Sequence, residues 1–310
     1  MSDDGVLECG AVDAGVLAGL LARYGLALSW VDDGDDARRW LVDEGLIDAR
    51  ASGVAREKIG AMTDSTNDDA TRVALVTGGS RGIGRAIVDA LLERGWKVHF
   101  CARTQESVAR ALTELQRYGG RVYGRAVDVG DQAQVDAFVA GVLAAEGAVG
   151  CLVNNAGIGH FAPVDELTGD DWRRLIDTNL SGPFYFIRAV APVMRRQGHG
   201  YIVNVASMAG RHAMAGGAAY NAGKFGLMGL TEAAMLDLRK DGVRVAAVLP
   251  GSVDTGFARA TEDDGWKLRP EDVARTVVDL LAYPERALPS VVEIRPTLTA
   301  AMHRQLKANS

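Results

Sequence analysis

The sequence predicts an α/β fold: a doubly wound, parallel, seven-stranded sheet with a small helical N-terminal appendage. Three observations predict it. Apolar runs of strand length alternate with stretches of helical period from Thr71 to Ile294. One junction, Thr77-Gly78-Gly79-Ser80-Arg81-Gly82-Ile83-Gly84, sets clustered glycines between a strand and a helix. Polar residues also stand directly after the strands, where open sheets of this kind bind ligands.

Residues 1–61 stand apart from that alternation. Val12, Val16, Leu17, Leu20, Leu21 and Tyr24 recur at helical spacing, which predicts an amphipathic helix. The acidic turn Asp32-Asp33-Gly34-Asp35-Asp36 would cap a second helix carrying Trp40, Leu41, Leu46 and Ile47. Residues 62–70 are polar and unpatterned and read as a linker. Residues 71–298 form the main domain, and 299–310 a C-terminal tail.

Within the main domain Val73-Ala74-Leu75-Val76 is the first strand. Ile87, Ala90 and Leu91 share one face of the helix that follows the glycines. Lys97–Ala102 is the second strand, succeeded by a helix over about 105–118. Arg121–Val127 runs to Asp128, and a helix follows from about 131 to 146. Gly150–Val153 leads into Asn154-Asn155-Ala156-Gly157. A long helical pattern over roughly 172–197 breaks gently at Gly182-Pro183. Tyr201–Val205 gives a fifth strand just before Ser207. A helix over about 217–240 precedes Val243–Val248. The last helix, about 270–283, opens on Pro270, a good first-turn residue, and Ser290–Ile294 closes the sheet.

Composition narrows the function. A chain of 310 residues suffices for one large α/β domain and an appendage. A net charge of −6 argues against nucleic acid and anionic membrane as partners. Cys101 and Cys151 sit in strand-like runs and read as small buried hydrophobes, with Cys9 far from both. The five histidines form no cluster and no metal-ligand spacing occurs, so no metal is expected. The start Met1-Ser2-Asp3-Asp4 is acidic where a secretory signal would be basic. No apolar run nears the ~20 residues of a membrane span. The expected setting is reduced and cytoplasmic.

The chemistry is read at the strand ends. A strand running through glycines into a helix holds phosphate, because the backbone approaches closely and the helix N-terminus offers free N–H groups. Gly78, Gly82 and Gly84 supply that turn, with Ser80, Arg81 and Ile83 between them. The spacing differs from the usual G-x-G-x-x-G fingerprint, so the turn by itself makes the domain only a candidate for dinucleotide binding on a Rossmann-like sheet. The residues downstream strengthen it. Tyr220 and Lys224 are spaced by four on one helix and share a face. A nearby ammonium would lower the tyrosine pKa, making Tyr220 a general acid for an alkoxide formed as a carbonyl accepts hydride. Ser207 is a candidate partner for the same oxygen. A Tyr-x-x-x-Lys spacing alone is common on helix surfaces; the glycine turn and the serine make this one a candidate.

From about Thr71 to Pro296 the chain resembles the single-domain short-chain dehydrogenase/reductase family, especially its ketoreductase-like members. Thr77-Gly78-x-x-x-Gly82-Ile83-Gly84 is similar to the family's cofactor turn. Asn154-Asn155-Ala156-Gly157 resembles its motif beside the adenine, and Pro250-Gly251-Ser252-Val253-Asp254-Thr255 the segment at the nicotinamide. The resemblance implies a catalytic tetrad of Asn179, Ser207, Tyr220 and Lys224. In it Lys224 also holds the nicotinamide ribose, and Asn179 anchors a proton-relaying water. The implied cofactor-binding set is Gly78, Ser80, Arg81, Gly82, Ile83, Gly84, Arg103, Asp128, Val129, Asn155, Ala156, Gly157, Tyr220, Lys224, Pro250, Gly251, Val253 and Thr255.

Selectivity for NAD usually needs a carboxylate about 20 residues beyond the glycine turn. The second strand instead ends in Ala102-Arg103-Thr104, and Arg81 and Arg103 suit a 2′-phosphate. NADP(H) is therefore expected over NAD(H), with Asp128 accepting from the adenine amine. The expected reaction is hydride transfer between NADP(H) and a ketone or secondary alcohol, the substrate being a small molecule or a carrier-borne carbonyl. The alternatives are a silent dinucleotide-binding scaffold or sensor, and an epimerase or dehydratase on the related fold. Family resemblance implies a homotetramer or dimer. Met208, Met214 and Phe257 are candidate apolar substrate contacts beside a short acidic cover containing Glu262, Asp263 and Asp264. His160 and His212 read as solvated loop histidines.

Overall fold

The computed structural model describes residues 72–257 and 265–308. They all fall in a compact unit that begins at Asp69. The expected N-terminal helices, the linker and the acidic cover residues lie outside the described residues.

Seven parallel strands form one sheet in the order β3-β2-β1-β4-β5-β6-β7. They are β1 (Val73–Thr77), β2 (Lys97–Ala102), β3 (Val122–Ala126), β4 (Cys151–Asn154), β5 (Gly200–Val205), β6 (Val243–Pro250) and β7 (Val291–Ile294). The strand order reverses between β1 and β4, where Val76 faces Val153. That reversal opens a crevice at the carboxyl ends of the two strands.

The central strands β1, β4, β5 and β6 are almost wholly buried because helices cover both faces, whereas the edge strands β3 and β7 alternate between buried or half-buried and exposed residues. Successive side chains alternate between two cores. Ala74, Val76, Val98, Phe100, Val153, Val203 and Val248 point into one core, with Ile87 and Leu91 of α1 (Gly82–Glu93) and Val273 and Val277 of α7 (Pro270–Leu281). Val73, Leu75, Leu152, Ile202 and Val245 point into the other. They meet Phe138 and Val142 of α3 (Gln132–Glu146) and Phe186 and Val190 of α5 (Gly182–Gln197). Each fully buried Leu or Ile contributes roughly 1.5–3 kcal/mol of transfer free energy.

The structure departs from expectation in three places. The helix after β2, α2 (Gln105–Glu114), stops at Glu114 and gives way to two short 3₁₀ turns between Gln116 and Arg121, separated by a kink at Gly119. Gly119 there takes φ 58°, which ends any helix. The long pattern over 172–197 divides into α4 (Gly169–Ile176), one wide π turn (Asp177–Ser181) and α5. The irregularity thus precedes Gly182-Pro183 and contains Asn179. Pro183 has no N–H to give the Asn179 carbonyl four residues back, so a regular ladder cannot run through. The expected tail holds a helix, α8 (Ala300–Ala308), with no buried residue. Its helix-forming residues carry no broad apolar stripe, so periodicity missed it.

Candidate active site

The glycine turn is built as a cradle. The Thr77 hydroxyl, at the end of β1, accepts from the backbone N–H groups of Asn155 and Ala156, both at 2.9 Å. Asn155 Nδ2 donates back to the Thr77 carbonyl at 2.9 Å. The ends of β1 and β4 are thereby stitched together. Gly78 has φ +68°, and a Cβ on it would lie 3.0 Å from Ala156 Cα. A Cβ on Gly84 would lie 2.2 Å from the Gly78 carbonyl oxygen. Only glycine permits that approach of helix to turn.

At the N-terminus of α1 the Arg81 side chain makes no capping bond, and no acidic residue occupies the first turn. The helix end therefore keeps its N–H groups and positive dipole for an anion. Thr255 is packed beside this turn, its Cβ 3.4 Å from where a Cβ on Gly82 would stand. A close-approach cradle with an uncapped helix end fits the pyrophosphate of a dinucleotide.

The other strand ends surround the cradle. Arg103 and Asp128 are exposed past β2 and β3. Asp128 Oδ1 accepts from Gly130 N at 2.9 Å. Val129 is buried and faces Gly182, so its side chain belongs to the core. Past β6, Gly251 N donates to Ile294 at 2.8 Å, and Val253 bridges to Leu268. That pairing fixes the Pro250–Thr255 segment. Ser80 and Ile83 are half-buried in the turn.

Asn179, Ser207, Tyr220 and Lys224 come together on the far side of Gly157. Asn179 is fully buried in the π turn; its Oδ1 accepts from Ile158 N and its Nδ2 donates to Ile158 O, both at 2.9 Å. A Cβ on Gly157 would lie 3.2 Å from Asn179 Oδ1 and 3.8 Å from Lys224 Nζ. Ser207 Oγ accepts from Ala209 N at 3.1 Å. Tyr220 and Lys224 lie one turn apart on α6 (Ala218–Leu238), both buried, with Nζ 5.9 Å from the tyrosine ring centre. Lys224 Nζ donates to the Val205 carbonyl at 3.0 Å.

The electrostatics correct one expectation. Burial raises the Tyr220 pKa above its ordinary value, and a hydrogen bond with Ser207 offsets only part of this. Burial also pushes Lys224 down, to about 8. Spacing alone reveals that the pair is close, not that both members are desolvated. His160 also departs from expectation, since its Nε2 lies 3.7 Å from Asp171 Oδ2.

Two contributors escaped the sequence reading. Asn221 is buried behind Tyr220 and holds the loop from Ser207. Its Nδ2 donates to the carbonyls of Ala209 at 2.7 Å and His212 at 3.0 Å, and its Oδ1 accepts from Met214 N at 3.1 Å. Its position next to Tyr220 was the only signal. Phe161 is the other; its ring centre lies 5.5 Å from that of Tyr220. Beneath the site, Asn154 donates to Asn204 at 2.9 Å and Asn204 to Thr231 at 2.8 Å, locking β4, β5 and α6 together.

Residues 72–266 match the family model described as short chain dehydrogenase. A putative ketoacyl reductase of Streptomyces coelicolor is 38% identical over 65% of this chain and 79% of its own length. The 3-oxoacyl-(acyl-carrier-protein) reductase FabG of Escherichia coli is 37% identical over 62% of this chain and 78% of its own. A metagenomic short-chain oxidoreductase solved with NADP superposes with a TM-score of 0.66. It is 38% identical, over 75% of this chain and all of that one. A variant actinorhodin polyketide ketoreductase solved with NADPH gives a TM-score of 0.69 at 31% identity, over 74% and 97% of the two chains. The chain belongs to the short-chain dehydrogenase/reductase family and is an NAD(P)-dependent oxidoreductase of its ketoreductase-like kind.

Proposed function

We propose that the protein transfers a hydride between NADP(H) and a ketone or secondary alcohol, with Tyr220 as general acid and base. The observation that carries the reading is the Ser207–Tyr220–Lys224 group, with Tyr220 and Lys224 buried, beside the glycine cradle. NADPH, when bound, supplies the hydride for the carbonyl carbon. Ser207 and Tyr220 hold the carbonyl oxygen. The Tyr220 phenol, kept protonated by burial, gives its proton as negative charge grows on that oxygen. Lys224, anchored to the Val205 carbonyl, holds positive charge behind the phenol and orients the cofactor ribose. Asn179 fixes the Ile158 backbone and shapes the wall next to Lys224.

The phosphate turn comprises Gly78, Ser80, Arg81, Gly82, Ile83 and Gly84, and Asn155 to Gly157 and Pro250 to Thr255 bound the rest of the cofactor. NADP(H) is favoured over NAD(H) because Arg81 and Arg103 are exposed while β2 ends without a carboxylate. Two similar structures carry NADP or NADPH, which supports this preference. The names of similar ketoacyl reductases support a carbonyl substrate, either small or carrier-borne. Exposed Trp172, Phe184, Phe225 and Leu236 support self-association into a dimer or tetramer. Among the described residues no helix is long and apolar enough to cross a membrane. A cytoplasmic setting is part of the proposal, as is assigning catalysis to residues 71–298 and none of it to 1–61.

The test is NADPH consumption against a panel of ketones and keto-esters. Turnover with at least one, absent from a Tyr220→Phe variant, supports the reading; cofactor binding without any turnover overturns it.

A further inference from the structure

Beneath Ser207 a chain of buried polar side chains crosses from the sheet into α6. Asn154 Nδ2 donates to Asn204 Oδ1 at 2.9 Å, and Asn204 Nδ2 to Thr231 Oγ1 at 2.8 Å. The Thr231 hydroxyl donates in turn to the Leu227 carbonyl at 2.6 Å. That last acceptor fixes the direction of every bond. A backbone carbonyl only accepts, so the one hydroxyl proton of Thr231 goes to Leu227 and its oxygen must accept from Asn204. Asn204 then has its Oδ1 for Asn154, whose own Oδ1 is buried with no partner among the described residues.

Asn204 is fully buried, and Thr231 is only 3% exposed. A polar pair so placed can be exchanged for apolar side chains of the same shape at little cost, so packing alone does not call for it. Threonine is also a weak helix former. What the pair adds is a second fixed point. Lys224 Nζ bonds the Val205 carbonyl, and Asn204, the next residue on β5, bonds Thr231 two helical turns beyond the lysine. Tyr220, Lys224 and Thr231 fall within about 40° on one face of α6, because eleven residues make almost three full turns. A helix held at one point can roll about its axis. A roll of about 10° moves a side-chain tip ~6 Å from the axis by about 1 Å. Misplacement on that scale costs up to about 10²-fold in rate.

We infer that Thr231, bonded to Asn204, is a positioning residue: its hydroxyl sets the roll of α6 and so aims Tyr220 and Lys224 at the oxygen that Ser207 holds. The inference rests on the carbonyl-reductase reading above and adds to it a residue beyond the tetrad. Thr231 passes no proton to the substrate; it acts through the helix.

The test sets Thr231→Val, which keeps the shape and deletes the hydroxyl, against Thr231→Ser, which keeps the hydroxyl. Rates are expressed per NADPH-binding site, counted by titration, so unfolded protein does not enter. Thr231→Val should lose about tenfold or more in kcat, while KM for the ketone and NADPH affinity change little. The alkaline fall of kcat should also move. A loosened α6 admits water to Lys224, whose pKa burial holds down at about 8, so the fall shifts to higher pH. Tyr220, whose ring centre lies 5.9 Å from Lys224 Nζ, stays protonated over that range. Thr231→Ser should restore most of the rate and the wild-type pH profile. A side chain that only stabilised the fold would lower the melting temperature and leave kcat per site and the profile in place. Should Thr231→Val give no NADPH-binding protein, Thr231→Ala carries the comparison, since its smaller side chain lets a water satisfy Asn204 without tethering the helix. Wild-type kcat and pH profile in the valine or alanine variant, or an equal loss in Thr231→Ser, overturns the inference and leaves the reductase reading standing. If the wild type reduces no ketone of the panel, both fall.

Discussion

Lys224 Nζ donates to the carbonyl oxygen of Val205 at 3.0 Å from a side chain that is almost wholly buried. This bond joins α6 to the end of β5 and holds an ammonium inside the protein. Burial pushes the lysine from 10.5 to about 8, which corresponds to about 3 kcal/mol against the charged form at neutral pH. The fold therefore carries a destabilising charge at the position where the proposed chemistry needs one.

That charge gives the first prediction. The folded pKa lies below the unfolded one, so the unfolded chain binds the extra proton between about pH 8 and 10.5. The Lys224 penalty is thus fully present below pH 8 and is relieved as pH rises through that window. Lys224→Met should raise stability at pH 7 by about 1–2 kcal/mol, the lost bond to Val205 offsetting part of the gain, while turnover collapses. Denaturant melts at pH 7 and NADPH consumption check both halves. A less stable variant would contradict the sign.

Tyr220 is raised by burial, so it stays protonated across the range where Lys224 titrates. Reduction should therefore fall off above about pH 8 with the loss of one proton, before the phenol itself ionises. A Tyr220→Phe variant should bind NADPH within a few-fold of wild type and lose at least about 10²-fold in kcat. Fluorescence titration with NADPH and steady-state rates over pH 6–10 measure these effects. Wild-type turnover in the phenylalanine variant would remove Tyr220 from the proton path.

How far the sequence revealed this arrangement depends on the range of the interaction. The central strands were legible because helices bury both sheet faces, so runs such as Val73–Val76 and Val245–Leu249 are apolar without interruption. The edge strands were legible because their β-branched and aromatic residues sit between turn residues. The spacing of Tyr220 and Lys224 was legible because a helix fixes which residues share a face. Their protonation was not, since desolvation comes from the whole surrounding fold. Asn221 and Phe161 act through contacts with distant loops that leave no periodic trace. The π turn at Asn179 was mislocated for a related reason: Asn179 is gripped by Ile158, 21 residues away.

The glycine cradle yields a paired test. Gly84→Ala would drive a Cβ to 2.2 Å from the Gly78 carbonyl, a backbone atom that cannot yield without opening the turn. NADPH affinity should drop at least tenfold, with a stability loss of about 1–3 kcal/mol. Gly120→Ala, with nothing within 4 Å, should change neither. Isothermal titration on both variants decides it, and equal affinities would mean that the turn does not hold the cofactor.

Cofactor preference turns on the end of β2. Ala102-Arg103-Thr104 has no carboxylate to accept from ribose hydroxyls, and Arg103 is exposed there. Arg103→Asp should weaken NADPH binding through charge repulsion with the 2′-phosphate and improve NADH binding, shifting the ratio at least tenfold. Tighter binding of NADH by the unaltered protein would reverse the assignment.

Asn221 supplies the last prediction. Three backbone groups of the segment between Ser207 and Tyr220 depend on its amide: the carbonyls of Ala209 and His212 and the N–H of Met214. Ser207 is capped within that segment by Ala209 N, so loosening the loop misplaces the serine relative to Tyr220. Asn221→Ala leaves these groups unpaired and should destabilise the protein by about 2–4 kcal/mol. It should also lower kcat far more than it weakens NADPH binding, since the cradle lies on other elements. Asn221→Asp distinguishes positioning from packing. Aspartate keeps the volume and the acceptor for Met214 but loses both donors, so it should rescue little of the turnover. If Asn221→Asp behaves as wild type, the donated bonds to Ala209 and His212 do not set the geometry of Ser207.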